Sequence, residues 1–140
     1  MILLDTNVVS EPLRAVGDPS VLAWIDAQNI ETLYLAAISL AELRFGIAAM
    51  PAGKRREILQ TSLERRVLPL FAGRILSFDA AASSAYAEIR ARARAQGMAI
   101  ATADGYIAAT AAANGLTVAT RDTAPFEAAG LEIINPWANA

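Results

Sequence analysis

The sequence predicts an α/β fold, a three-layer α/β/α sandwich with a mainly parallel central sheet. Two observations predict it. Short apolar runs of strand length alternate with longer stretches of helical periodicity along the 140 residues. Cap and turn formers punctuate nearly every junction, and such alternation is how parallel sheets with helices on both faces are built.

Met1–Leu4 is a short apolar run stopped by Asp5, Thr6 and Asn7, the pattern of a buried strand feeding a helix. Helical spacing follows through Val8, Val9 and Leu13. It resumes beyond the Gly17-Asp18-Pro19 break through Val21, Leu22, Trp24 and Ile25. Leu33–Ala36 reads as a second strand. Ser39-Leu40-Ala41-Glu42 has the form of a capping box, Ser39 as N-cap and Glu42 three residues on, opening a helix through Leu43, Phe45, Gly46 and Ile47. Pro51-Ala52-Gly53 breaks it. A charged helix with Ile58, Leu59, Leu63 and Val67 on its buried side is expected up to Pro69. Ile75–Phe78 suits a short strand, and 79–96 an alanine-rich helix ended by Gly97. Thr102–Asn114 is a further helix, Leu116–Ala119 a strand, Phe126–Ala129 a helical turn and Leu131–Ile134 a last strand. Length and the lack of a linker predict one domain, 1–140.

Composition narrows the chemistry. There is no histidine and no cysteine, which removes the usual serine, cysteine and zinc hydrolases. The lack of cysteine suits a reducing cytoplasm, and no apolar stretch approaches the roughly 20 residues of a bilayer span. A net charge of −2 rules out a polyanion-coating protein, so any nucleic-acid contact must be local. The high apolar content, 55%, is compatible with a dimer or partner interface, for which helices bearing Trp24, Ile25 and Phe45 are candidates.

Four carboxylates stand beside strand ends or helix starts: Asp5, Glu42, Asp104 and Asp122. Each has an ordinary structural explanation. Asp5 can cap a helix, Glu42 can close its capping box, Asp104 can complement a helix dipole and Asp122 can form an Asx turn. Together they can share one edge of an α/β sandwich, where their repulsion calls for a cation, and all-oxygen ligands suit Mg²⁺ or Mn²⁺. Arg44 and Arg121, close in sequence to Glu42 and Asp122, are candidates to grip substrate phosphates, with an ion pair to a structural acid as the other reading. A haloacid-dehalogenase-like phosphatase or a receiver domain needs a later lysine, and Lys54 is the only one.

LLDTNVVSE, ISLAELRFGI and the tail TADGYIAATAAANGLTVATRDTAPFEAAGLEIINPW, in that order, resemble the PIN-domain ribonucleases of bacterial toxin-antitoxin modules, the VapC group and its FitB-like branch. The resemblance covers essentially the whole chain. It implies a metal-dependent endoribonuclease toxin whose four acidic positions fall on Asp5, Glu42, Asp104 and Asp122. Thr6 and Asn7 match the first motif, and Thr120 matches the residue that steadies the last acid. Many relatives carry asparagine at the position of Asp122 and an acid where this chain has Pro125, so Asp122 ranks below the other three. Also implied are an RNA substrate, a cognate antitoxin similar to VapB or FitA proteins, a homodimer and a toxin-antitoxin hetero-oligomer, with DNA bound only through the antitoxin. A catalytically silent RNA-binding or protein-interaction module of the same fold is the alternative.

Overall fold

A computed structural model describes residues 1–138. Five strands form one all-parallel sheet in the order β3-β2-β1-β4-β5: β1 Ile2–Leu4, β2 Leu33–Ala36, β3 Ile75–Leu76, β4 Thr117–Ala119 and β5 Ile133–Ile134. The chain walks outward from β1 through β2 to β3, then crosses back to lay β4 on the other side of β1. The order therefore reverses between β1 and β4. Open parallel sheets bind their ligands beyond the carboxyl ends of the strands at such a switch point.

Successive strand residues point to opposite faces, so each strand feeds two cores. Leu3, Ala36 and Val118 pack under α5 (Ala80–Ala95), α6 (Thr102–Ala113) and α7 (Ala124–Ala128), with Ile89, Ile107 and Phe126. Leu4, Leu33, Leu35 and Ala119 face α1 (Thr6–Ser10), α2 (Pro19–Ala27) and α3 (Ala37–Ala48), with Val8, Val21, Leu40 and Leu43. Each wholly buried leucine, isoleucine or phenylalanine contributes about 1.5–3 kcal/mol. The two cores together fix the height and register of β1 and β4, and hence of the residues that follow them. Helices α5 and α6 pack closely at Gly105, where a Cβ would come within 3.0 Å of the Tyr86 ring and 3.5 Å of Arg90 Cδ.

Two expectations need correction. Helix α3 begins at Ala37, directly after β2, with Ala36 at its N-cap and no side-chain cap. Ser39 lies inside the first turn, wholly buried, its Oγ without a partner among the described residues, so the capping box does not form. The charged helix is also shorter: α4 spans Lys54–Ser62, followed by a π turn at Leu63–Val67 and a 3₁₀ turn at Leu68–Phe71. Leu63 is buried as expected, but Ile58 is 55% exposed and lines an open apolar groove with Leu13 and Leu59. Among the interface candidates, Trp24 and Ile25 pack against the second core while Phe45 stands 74% exposed. Among the described residues no helix is long and apolar enough to cross a membrane.

Candidate functional site

Asp5 is the first residue past β1, and its backbone N–H still bonds to the carbonyl of Ala119 at the end of β4, 2.9 Å away. It is the N-cap of α1, accepting the Thr6 N–H on Oδ1 at 2.8 Å. Its other oxygen, Oδ2, accepts the hydroxyl of Thr120 at 2.8 Å. Thr120 is itself wholly buried and anchored by its N–H to the Ile134 carbonyl of β5. The same hydroxyl oxygen accepts the N–H of Asp122 at 3.1 Å. The turn after β4 is thus closed by Thr120 rather than by an Asx turn of Asp122.

Glu42 comes from the second turn of α3. Freed from any capping role, its Oε1 accepts the Thr6 hydroxyl at 2.7 Å. Asp104 stands in the first turn of α6, half-buried, where its charge complements the helix dipole. These four acids, with Thr6 and Asn7, line one cavity of about 270 Å³ at the switch point. Among the described residues its lining contains no basic one.

The electrostatics follow from that lining. Asp5 is only 5% exposed, and burial pushes its carboxyl up to about 6. The hydrogen bonds from Thr120 and Thr6 oppose the rise, while the charges of Asp104 and Glu42 add to it. Asp104 is raised too, first by burial and then by Asp122 and Glu42. A buried carboxylate is ordinarily paired with a cation. Among the described residues the charges that act on Asp5 are those of further carboxylates, Asp104 and Glu42.

Among the described residues no three acids are already drawn into a closed metal-holding group, so the acids ring the cavity rather than converge on a point. The donor chemistry nevertheless fits a hard divalent cation. Every side-chain donor in the lining is an oxygen apart from the amide nitrogen of Asn7, and the acids already repel one another. A Mg²⁺ ion that keeps several of its waters suits such an open ring.

The two arginine candidates part company. Arg44 is turned to Glu64, its Nε and Nη2 donating to the two carboxylate oxygens at 2.9 and 3.0 Å, and it does not line the cavity. Arg121 does not line the cavity either, but its backbone nitrogen lies 3.5 Å from Asn7 Oδ1 of the lining, and its guanidinium carbon is 5.3 Å from the centre of the Trp137 ring. The sequence reading assigned Thr120 to the last acid alone and missed that its hydroxyl also holds Asp5. Only the pairing of β1 with β4 puts residues 5 and 120 together.

The PIN domain family model matches residues 2–131. The chain is 67% identical to the VapC ribonuclease Y4jK of Sinorhizobium fredii, over 98% of both sequences. It is 55% identical to toxin FitB of Neisseria gonorrhoeae, over 98% of this chain and 99% of FitB. A solved structure of FitAB bound to an IR36 DNA fragment contains a chain 52% identical to this one, with a TM-score of 0.94 over 98% of this chain and 96% of that one.

Proposed function

The chain belongs to the PIN domain family of VapC and FitB proteins, and from that premise we propose that it is the endoribonuclease toxin of a toxin-antitoxin module, dependent on Mg²⁺ or Mn²⁺. The observation that carries the metal is the cavity of four carboxylates with no basic residue in its lining. One nuclease domain, 1–140, acting in the cytoplasm completes the reading.

Asp5, Glu42 and Asp104 would hold the cation. Such an ion, when bound, polarises a phosphoryl oxygen and lowers the pKa of a water, and it inverts the local charge of an acidic site that must accept RNA. The chain's own residues do the remainder. Thr120 and the Thr6 N–H fix both oxygens of Asp5, and the Thr6 hydroxyl fixes Glu42, so two acids are oriented before substrate arrives. Asp122, exposed at the mouth, would support a second ion or position the attacking water. Arg121 grips a flanking phosphate. Arg44 would have to leave Glu64 to take part.

The partner is an antitoxin similar to VapB or FitA, which carries the DNA binding of the complex and inserts a basic side chain, arginine by its chemistry, where the cation sits. The toxin works within a homodimer and a toxin-antitoxin hetero-oligomer.

Purified protein, freed from its partner, should cleave cellular RNA with Mg²⁺ or Mn²⁺ and stop in EDTA. Cleavage that persists in EDTA would remove the metal from the reading. Binding of RNA without any cleavage would favour the silent module.

A further inference from the structure

Arg121 is an exposed side chain, free by itself to sample many rotamers, and the structure shows what restrains it. After β5 the chain turns at Asn135-Pro136. Asn135 Oδ1 accepts the Trp137 N–H at 3.0 Å, the Asn135 carbonyl accepts the N–H of Ala138 at 3.1 Å, and Pro136 is buried. The turn lays Trp137 against the second core, so its ring is half-buried. The ring is also where Arg121 rests, 5.3 Å from guanidinium carbon to ring centre. The anchor is shared with the acids. The β4–β5 pairing that brings Ile134 beside Ala119 also carries Thr120, the residue that holds Asp5 and Asp122.

We propose that Trp137 is a positioning residue for substrate, a platform that holds the guanidinium of Arg121, the residue preceding Asp122, so that it meets a phosphate next to the one being cut. This rests on the nuclease reading above. The physical reason is preorganisation. A flexible arginine loses rotamer freedom when it binds a phosphate, and one already resting on an aromatic face loses less. A planar guanidinium lying on a ring can still present its edge to phosphate oxygens. Trp137 touches no reacting atom in this scheme and acts only through Arg121.

The test uses the full chain freed from its antitoxin, with Mg²⁺ and total cellular RNA as substrate. Trp137→Leu, which keeps an apolar side chain and removes the ring, should raise apparent KM about 2- to 5-fold, the factor corresponding to an exposed cation–π contact, with kcat within about twofold. Trp137→Phe should recover most of the loss. Arg121→Ala should raise KM about tenfold, as expected for losing one charge-assisted contact. The double variant should be no worse than Arg121→Ala alone, because a residue acting through Arg121 has nothing left to act on. In a Trp24→Phe background Trp137 is the sole tryptophan, and Arg121→Ala should change its emission. Additive effects in the double variant, a loss confined to kcat, or unchanged KM in Trp137→Leu would overturn the proposal and leave the nuclease standing. A wild-type chain that cleaves no RNA with either metal would overturn both.

Discussion

Two buried carboxylates lie six residues apart in the chain, Asp5 and Glu11, and they are treated in opposite ways. Glu11, 3% exposed, accepts the Asp18 N–H at 2.8 Å and the Arg14 guanidinium at 3.1 Å. It ties down the loop between α1 and α2. Asp5, 5% exposed, has two good hydrogen bonds, and among the described residues it has no cationic partner and its charged neighbours are acids. The first arrangement is complete as it stands. On the proposed reading, the second is completed by a cation from outside the chain. That difference is what marks Asp5 rather than Glu11 as the candidate functional acid, and it is invisible to residue type or burial alone.

Substitution can break the comparison most sharply through activity. Asp5→Asn should lower RNA cleavage about a thousandfold, the scale of removing one electrostatic contact at a reacting centre. Glu11→Gln, which keeps an acceptor for Asp18, should stay within about twofold in the same assay.

Stability against pH should reverse the ranking. Folding raises Asp5 from 3.8 to about 6. The neutral form is thus favoured in the folded chain. Its contribution is full below 3.8 and is lost as pH rises through about 6. In the metal-free chain the loss is about 3 kcal/mol, two units at 1.36 kcal/mol each. Urea unfolding at several pH values should show the decline in wild type and a much flatter profile in Asp5→Asn. An equally steep profile in the variant would place the uncompensated charge elsewhere.

Glu11→Ala should cost about 2–3 kcal/mol at any pH from 6 to 8, since it strands a backbone donor. Thermal unfolding checks this, and a cost below about 0.5 kcal/mol would deny Glu11 its structural role. Among the four cavity acids the smallest effect is expected at Asp122. It is exposed, and its backbone rather than its carboxylate is held by Thr120. Asp122→Asn should reduce cleavage about tenfold, with the amide oxygen still able to orient water.

The sequence made most of this architecture legible because strand and helix periods differ and the breaks are marked by Pro, Gly and Asp. The acids were legible as a set through their places after strands and at helix starts. The capping box at Ser39 and Glu42 misled for a local reason. Strand β2 is paired to β3 up to Ala36, and α3 starts at the next residue without a loop, so Ser39 arrives three residues too late to cap it. The motif matched, but the strand register decided the helix start. Ile58 misled because a helix face can be apolar without being covered within its own chain. The clamp of Thr120 on Asp5 spans 115 residues of sequence, a distance no local pattern encodes.

The claim that the cavity awaits a cation is tested most directly by thermal unfolding of the metal-free chain at pH 7 with and without Mn²⁺. Ligand that binds only the folded state must raise the midpoint. Wild type and Glu11→Gln should rise together with added Mn²⁺, and Asp5→Asn should not rise. An equal rise in Asp5→Asn, or no rise in wild type, would contradict the account.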